Sequence, residues 1–425
     1  MASHTTRSTR LAWLVALIAM ATTGFFARLA LFDLSNPDLE DHFLVWLERM
    51  RTLGFWHAVS EPFSAYGYTP LYSYCLGLAD ALAGQQASGL WVIKSISILF
   101  DFITAGLMAG LAWSRWRTSA AAALAFAAVW FAPTVLLNGA AWGQFDSACA
   151  CWLLAMVIAI VHRRPLLAMA CFGLALAIKA QAVFLGPFVL ILLMRRELPW
   201  RAMVIVPVVY AALALPVVLA GRSWWEVASI YATQAGTQHA LAYGIPNLHF
   251  FLARWIGTWT PAIAGIAVGV STLASAAFAF SGRWIVDHPL RPQTVLLAAV
   301  LSAMLVPHLL PHMHERYFMP AEILAIAWAV WQPRVAPLAI ALQATSLIAY
   351  APFLLAPALQ APVPPLLAFV GFTNNMQVLT GLLALASLVH LGLLAWLLAR
   401  WAREIKERPE PKQSTRSLRP VQQAS

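Results

Sequence analysis

The sequence predicts an all-α, polytopic integral membrane protein with about 11 to 13 transmembrane helices and a long first outer loop. Of its 425 residues, 61% are hydrophobic and only 10% are charged, whereas a soluble domain carries roughly a quarter charged residues. Apolar stretches long enough to cross about 30 Å of hydrocarbon recur from residue 11 almost to residue 400. We therefore expect one membrane domain over residues 1–400 and a polar, disordered cytoplasmic tail over 401–425.

The first apolar stretch, residues 11–32, is expected to remain in the protein as a membrane helix. It contains Gly24-Phe25-Phe26-Ala27-Arg28, which lacks the small-residue site at which a secretory signal peptide is cleaved.

Basic residues predict the orientation of the chain. The net charge is +10, and the arginines lie in short groups between apolar stretches, as is typical of cytoplasmic loops. These groups are Arg7 and Arg10; Arg115 and Arg117; Arg163 and Arg164; Arg195, Arg196 and Arg201; Arg283; Arg334; and the segment after Arg400. The charge therefore indicates membrane orientation rather than nucleic-acid binding, and both termini are expected in the cytoplasm.

The same rule places the connecting segments. Residues 34–66 become an outer loop, in which apolar residues recur at helical spacing and predict a helix lying on the membrane surface. Residues 165–194 lie between two inner groups and predict a hairpin of two short helices whose tip, near Lys179, approaches the outer face. For residues 67–83 we favour a dip without crossing; the alternative is that the Arg115 group breaks the charge rule.

Polar side chains are costly at membrane depth, so their positions are informative. Five groups from distant parts of the chain are all predicted on the outer side. They are Asp38, Glu40 and Asp41 with Tyr68 and Tyr72; Trp142, Gln144 and Asp146; Lys179 and Gln181; Asn247; and His312, His314, Glu315 and Arg316. Their convergence predicts one shared functional site at the outer membrane face.

Each polar residue also has a structural interpretation. Asp38 stands where an acid complements a helix N-terminus, and Gln144 and Asp146 could cap the following helix. Lys179 could extend its ammonium to the membrane interface, and this interpretation is favoured for Lys94. Polar contacts between helices are favoured for the two remaining intramembrane acids, Asp101 and Glu322.

No metal or organic cofactor is predicted. His312, His314 and Glu315 stand close in sequence, but residues two apart do not share a helix face and a third ligand is not evident. Whether the outer-loop acids use a divalent ion is left open. The four cysteines, Cys75, Cys149, Cys151 and Cys171, fall within apolar segments without metal-ligand spacing and are interpreted as small hydrophobic residues.

Four segments carry a family resemblance. They are Asp38-Leu39-Glu40-Asp41 with the return Tyr68-Thr69-Pro70-Leu71-Tyr72; Trp142-Gly143-Gln144-Phe145-Asp146; Lys179, Gln181 and Pro187; and His312-Met313-His314-Glu315-Arg316-Tyr317. In this order the set resembles the GT-C superfamily of membrane glycosyltransferases. It is most similar to the bacterial mannosyltransferase-like branch, which is related to the enzymes that build the GPI anchor and the dolichyl-linked glycan. Ile245-Pro246-Asn247-Leu248 is a weaker match.

The resemblance implies a transferase at the periplasmic face of a bacterial inner membrane. Its donor would be a polyprenyl-phosphate-linked sugar and its acceptor a lipid- or glycan-linked molecule. A hexose, with mannose favoured, and an inverting reaction are expected. By motif position Asp38 is the general base, and the neighbouring acids Glu40 and Asp41 are alternatives for that role.

The other roles follow from the chemistry of the residue types. A lipid phosphate gains charge as it leaves, and a cation stabilises that charge most strongly in a low-dielectric site. Candidates for binding the donor phosphate are Arg316, Lys179, His314 and Lys94. Candidates for binding sugar or acceptor are Tyr68, Tyr72, Trp142, Gln144, Asp146, Gln181, Asn247, His312 and Glu315. Without a Gly-rich phosphate loop for a nucleotide, the sugar is expected to arrive on lipid.

Two rival functions remain at this point. A secondary transporter or lipid flippase would also place charged residues and helix breaks within the membrane, but transporters usually consist of two related halves. We find no such internal repeat in the sequence. The second rival is a polymerase or ligase of surface polysaccharide, which would share the same motifs.

Overall fold

The chain forms a helical bundle, described by a computed structural model for residues 2–63, 68–236, 240–256, 260–360 and 376–406. Within these ranges seven helices are long and apolar enough to cross a membrane, and a bent pair supplies an eighth span. Four shorter apolar helices accompany them. The predicted all-α, multi-pass class is confirmed, and the expected total of about 11 to 13 crossings is reached only when the short helices are counted.

The N-terminal half builds the outer loop and the first spans. Its α-helices are α1 (Ala2–Leu29), α2 (Leu44–Leu53), α3 (Phe55–Val59), α4 (Pro70–Ala83), α5 (Gly89–Trp116), α6 (Ser119–Trp130), α7 (Pro133–Leu136), α8 (Asp146–Val161) and α9 (Pro165–Leu176). One-turn π-helices precede α2 at Leu39–Phe43 and follow α7 at Leu137–Trp142.

The C-terminal half adds further spans and one strand pair. Its α-helices are α10 (Gly186–Met194), α11 (Ile205–Leu219), α12 (Trp224–Gly236), α13 (Leu248–Ile256), α14 (Pro261–Ser281), α15 (Pro292–Leu309), α16 (Met319–Trp331), α17 (Ala336–Gln360) and α18 (Met376–Lys406). Short 3₁₀ helices lie at Ala180–Leu185, Trp200–Val204, Gly282–Trp284 and Pro333–Val335. The strands β1 (Ala242–Tyr243) and β2 (Met313–His314) pair in parallel.

Two interruptions bring loops to the same end of the bundle. The helix that begins at Ser119 breaks before Pro133 and resumes at an angle of 52°, since proline lacks a backbone donor and cannot continue a helix without a kink. The predicted hairpin is also present, with α9 and α10 as short arms and Lys179 at the tip. Both arms run away from the arginine groups near Arg163 and Arg195. We call the end that holds the tip the outer face, by the positive-inside rule.

The outer-loop helix has a different partner from the one expected. Leu39, Phe43, Trp46 and Met50 of its apolar stripe are buried in the protein core, whereas Leu53 is exposed. The helix therefore packs its apolar face on the bundle and not on lipid, and its location at the membrane surface stays a prediction. The last helix continues to Lys406, so the prediction of a disordered tail is wrong for residues 401–406. Residues 64–67 of the outer loop and the tail after residue 406 lie outside the described residues. At 14 residues, α4 spans only about 21 Å, less than the hydrocarbon thickness.

A buried ion pair joins α1, α5 and α6. The Arg28 guanidinium donates to Asp101 at 3.1 Å and to the carbonyl oxygen of Trp130 at 2.9 Å, and it lies 3.7 Å from the centroid of the Trp130 ring. Arg28 and Asp101 are fully buried. A charge in such a place persists only when it is paired and hydrogen-bonded. The structural interpretation of Asp101 is therefore confirmed, and this contact fixes α1 against the broken helix.

Gly24 allows that close approach, and replacing it tests the packing. A Cβ atom at Gly24 would lie 2.1 Å from Trp130 Nε1, whereas one at Gly110 in α5 would meet no atom within 4 Å. We expect Gly24→Ala to destabilise the protein by about 1–3 kcal/mol, because Trp130 must leave the Arg28 guanidinium. Thermal unfolding in detergent measures the difference. Gly110→Ala is the control, and equal unfolding temperatures for the two variants would contradict the proposed packing.

Candidate functional site

Asp146, the first residue of α8, lies at the centre of a buried polar cluster. Its Oδ1 accepts hydrogen bonds from Lys179 Nζ at 2.8 Å and from Gln181 Nε2 at 2.9 Å. Its Oδ2 accepts from Asn138 Nδ2 at 3.1 Å and lies 3.3 Å from Arg316 Nε. The capping interpretation of Asp146 is therefore wrong, because the carboxylate is used in contacts between distant segments. Three hydrogen bonds and one arginine ion pair around one buried carboxylate hold the hairpin, the broken helix and the loop before α16 together.

Asp38 forms the open edge of this cluster. Its Oδ2 accepts hydrogen bonds from Trp142 Nε1 at 2.9 Å and from Gln144 Nε2 at 2.7 Å, and it lies 3.9 Å from Arg316 Nη1. Oδ1 accepts no hydrogen bond from the part of the chain that the structure describes. The Asp38 side chain is 26% exposed, compared with 1% for Asp146. Of these two acids, Asp38 is therefore the one that a molecule arriving at the outer face can reach.

Local sequence explains why Asp38 points inward. Asn36 caps the helix, since its Oδ1 accepts from the backbone N–H of Leu39 at 3.2 Å, and its Nδ2 donates to the carbonyl oxygen of Trp142 at 2.9 Å. This second bond ties the outer loop to the Trp142 segment. The π-helix that follows widens the turn, and such turns are frequent at functional sites. Glu40 and Asp41 lie on the exposed side of the same turn, away from the cluster.

Lys179 connects the hairpin tip to the site. It is 7% exposed, and its ammonium also lies 3.4 Å from Gln144 Oε1 and 4.9 Å from the centroid of the Tyr68 ring. Tyr68 donates its hydroxyl proton to the same Gln144 oxygen at 3.1 Å. The alternative that Lys179 extends to the membrane interface is therefore wrong. Thr69 holds the tip from the other side by donating to the carbonyl oxygen of Ala177.

The loop between α15 and α16 supplies the second cation. Arg316 Nη1 donates to Glu315 at 2.8 Å, and its guanidinium carbon lies 5.1 Å from the centroid of the Trp142 ring. The backbone N–H of Glu315 donates to the carbonyl oxygen of Tyr243, and His314 stacks on the Tyr243 ring at 4.6 Å. The strand pair therefore fastens residues 242–243 to the motif that carries Arg316.

Burial and charge set the protonation of this loop. Burial, assisted by the Arg316 charge, lowers the pKa of His314 to about 3, so this imidazole is neutral at physiological pH. Burial also raises the pKa of Glu315, although Arg316 opposes that shift. Burial disfavours the charge on Arg316, but Glu315, Asp146 and Asp38 outweigh it and raise the pKa of the guanidinium. Arg316 and Lys179 are thus the two cations of the cluster.

Two predicted site residues, Lys94 and Asn247, lie outside the cluster. Lys94 is fully buried and donates to the carbonyl oxygens of Leu31, Phe32 and Leu34 at 2.6–2.9 Å. Its three donors are used at the end of α1, so neither the interface interpretation nor a place in the cluster fits it. Asn247 holds the start of α13, where its Oδ1 accepts from the backbone N–H of Phe250.

The remaining predicted residues surround the cluster at its margins. His312 contacts the carbonyl oxygen of Ala240 at 2.6 Å through Nδ1. Tyr72 is buried among aromatic rings, 4.9 Å from Tyr68 between ring centroids. Among the described residues, no three His, Cys, Asp or Glu side chains form a group that could hold a metal ion.

Three contributors to the site were not predicted. Asn138 donates to Asp146, and its Nδ2 lies 3.5 Å from the Tyr350 hydroxyl. Phe353 stacks on Trp142 with 4.0 Å between ring centroids. Asn138 stands shortly before the Trp142 motif and could have been found as one more amide at the outer face. Tyr350 and Phe353 lie in the apolar α17, where the sequence gives no signal that separates them from lipid-facing aromatics.

Glu322 lies behind the site and fixes the break in the bent helix between α6 and α7. Its Oε2 accepts from Thr134 at 2.5 Å and from Gln343 Nε2 at 2.9 Å. Thr134 lies in the first turn of α7, so these bonds connect the break to α16 and α17. The interpretation of Glu322 as a polar contact between helices is confirmed.

Comparisons with known proteins agree with this architecture. The crystal structure of ArnT from Cupriavidus metallidurans bound to undecaprenyl phosphate superposes with a TM-score of 0.54 at 16% sequence identity, covering 92% of this chain and 78% of that one. At this identity the likeness concerns the fold. No curated protein matches the sequence.

The sequence profile of Glycosyltransferase family 87 matches residues 62–310, more than half of the chain. This range contains Trp142, Asp146 and Lys179 but ends before Arg316. Together with the membrane-spanning helices and the ArnT-like fold, the match confirms a membrane glycosyltransferase with a GT-C-like architecture. The chain belongs to Glycosyltransferase family 87.

Proposed function

We propose that this glycosyltransferase moves a hexose, with mannose favoured, from a polyprenyl-phosphate-linked donor to an acceptor hydroxyl at the periplasmic face of a bacterial inner membrane. The observation that carries the proposal is the layout of the cluster. One accessible carboxylate, on Asp38, stands at the outer edge, and two buried cations, Lys179 and Arg316, lie behind it. A transferase that uses a lipid phosphate as leaving group needs a base and a counter-charge in this arrangement.

Asp38 is proposed as the general base. An acceptor hydroxyl attacks the anomeric carbon and transfers its proton to Oδ1, while Trp142 and Gln144 hold Oδ2. As the acceptor oxygen bonds to the anomeric carbon, the bond between that carbon and the phosphate oxygen breaks, and the lipid phosphate leaves with the bonding electrons. Attack from the side opposite the leaving phosphate inverts the configuration, which is the stereochemical course we expect.

The leaving phosphate is proposed to bind at Arg316 and Lys179. In the described structure Arg316 is paired with Glu315 at 2.8 Å, and burial raises the pKa of that carboxyl group. The singly charged phosphodiester of the donor, and the phosphate monoester that it becomes when the sugar is transferred, can each replace Glu315 as the partner of the guanidinium, because both present oxygen pairs to its planar N–H groups. His314, being neutral, can contribute a hydrogen bond but no charge.

The ArnT structure supports the class of donor, since it contains undecaprenyl phosphate. The acceptor is proposed to be lipid- or glycan-linked, and the bilayer itself supplies the surface on which donor and acceptor meet. A nucleotide sugar is not expected to serve as donor.

Sugar transfer in liposomes tests the proposal. Full-length protein is incubated with radiolabelled mannose or glucose on polyprenyl phosphate, or with the corresponding nucleotide sugar, and a panel of lipid-linked acceptors. We expect labelled product from a polyprenyl-phosphate sugar, more from mannose than from glucose, and none from the nucleotide sugar. Movement of labelled lipid across the bilayer without any product would instead favour the flippase alternative.

A further inference from the structure

Arg222 is a buried cation that has no hydrogen-bond or ion-pair partner among the described residues, and it lies in a segment separate from those that form the cluster around Asp146. It follows Gly221, which has φ +117°, and its backbone N–H donates to the carbonyl oxygen of Val217 at 3.0 Å. The residue is only 6% exposed. Its Nε atom is buried without a hydrogen-bond partner, and the guanidinium makes no hydrogen bond or ion pair within the described ranges.

The neighbouring groups do not neutralise this charge. Tyr74, Tyr210 and Glu226 are close enough to act on Arg222 electrostatically, and burial nevertheless lowers the pKa of its guanidinium. The two tyrosine hydroxyl protons are donated to the carbonyl oxygens of Leu213 and Val227. Glu226 is exposed on α12, where water screens its charge. A desolvated arginine is expensive unless an anion accepts its hydrogen bonds.

The position of Arg222 indicates which anion fits. It lies beyond the outer end of α11, the end opposite the arginine group near Arg201. The next helix begins with Trp224 and Trp225, which are 48% and 78% exposed, and tryptophans are enriched at the level of lipid headgroups. A Cβ atom at Gly221 would lie 3.8 Å from Ser60, so the outer loop covers this region.

We propose that Arg222 is a binding site for the phosphate of a membrane lipid at the outer interface. A guanidinium presents paired N–H groups to two phosphate oxygens, and its site is formed here by the end of α11, the start of α12 and Ser60 of the outer loop. The phosphate can belong to a bulk anionic phospholipid or to a polyprenyl phosphate. This site is separate from Arg316 and Lys179, and its occupancy does not depend on sugar transfer.

Lipid binding to purified protein tests the site. Wild type, Arg222→Gln, Arg222→Lys and Arg49→Gln are purified in dodecyl maltoside, which carries no phosphate, and depleted of lipid. Each is titrated with phosphatidylglycerol in one arm and with polyprenyl monophosphate in the other. Native mass spectrometry counts bound lipid, and thermal unfolding measures stability. Arg49 is the control because it is an outer-loop arginine already paired with Glu61 at 2.9 Å.

We expect wild type and Arg49→Gln to bind one more phosphate lipid than Arg222→Gln. The affinity of Arg222→Gln for the preferred lipid should fall roughly tenfold or more, since a charge-assisted hydrogen bond is lost, and Arg222→Lys should lie between. The arm that shows the difference identifies the source of the phosphate. Without lipid, Arg222→Gln should be at least as stable as wild type, because it removes an unpaired buried charge.

Two results would overturn the proposal. One is an equal lipid count and an equal lipid-dependent stabilisation in wild type and Arg222→Gln in both arms. The other is a loss of stability in Arg222→Gln before any lipid is added, which would give Arg222 a purely structural role. Both readouts are independent of catalysis, so they stand whether or not the proposed sugar transfer is observed.

Discussion

Replacing Asp38 by Asn is expected to lower sugar transfer by about 10²–10⁴-fold, the usual contribution of a general base. The change removes the proton acceptor and little else. Both hydrogen bonds from Trp142 and Gln144 end on the same oxygen, Oδ2. An asparagine can therefore keep them with its amide oxygen and place its NH₂ group where Oδ1 stands.

Because Asp38→Asn can keep both hydrogen bonds, it should slow sugar transfer without changing the fold or the binding of the donor. Because Asp38 is partly exposed, the folded protein should lose little stability, and donor binding should persist. Single-turnover transfer in liposomes, together with binding of the polyprenyl-phosphate donor, separates the two effects. A fall in turnover with unchanged donor affinity is the outcome that supports a base.

Asp41→Asn is the matched control for this experiment. It makes the same chemical change three residues away, on a carboxylate that the structure places on the exposed side of the turn. It should retain near wild-type transfer, as should Glu40→Gln. If either control loses activity while Asp38→Asn keeps it, the assignment of the base is wrong and the proton acceptor is one of these two acids.

The sequence predicts the composition of the cluster because of the cost of burying charge. Lys179, Asp146 and Arg316 stand in segments too apolar to hold a charge without compensation, so each required a partner at the outer face. Sequence could not specify which residues pair. Lys179 and Asp146 are 33 positions apart, and their contact depends on how the hairpin and the broken helix meet in three dimensions.

Lys94 and the outer-loop helix show a second limit of sequence reasoning. The apolar stripe of α2 has the same periodicity whether it faces lipid or protein, because both environments are apolar. Lys94 near the start of a membrane helix is expected at the membrane interface, yet its ammonium binds three carbonyl oxygens of the segment that follows α1. Carbonyl oxygens that need a donor leave no mark in the sequence 60 residues away.

Asp146→Ala is expected to cause the largest loss of stability among single changes in the site. It leaves Lys179 and Arg316 buried without their shared carboxylate, and breaking a buried ion pair in this way typically costs about 3–5 kcal/mol. Thermal unfolding in detergent measures the change. Glu61→Ala is the control, since it also removes the carboxylate of an arginine pair but one in which the acid is 75% exposed. Its cost should stay within about 1 kcal/mol.

A double variant separates the ion pair from the rest of the network. If the cost of Asp146→Ala comes from an uncompensated ammonium, then adding Lys179→Met removes that charge and restores part of the stability, and the two changes are not additive. Arg316 keeps Glu315 at 2.8 Å, so its charge stays paired in the double variant. Strict additivity would mean that Asp146 stabilises the fold mainly through Asn138 and Gln181. Transfer should be lost in Asp146→Ala, in Lys179→Met and in the double variant, because Lys179 is proposed to bind the donor phosphate and takes its position from Asp146.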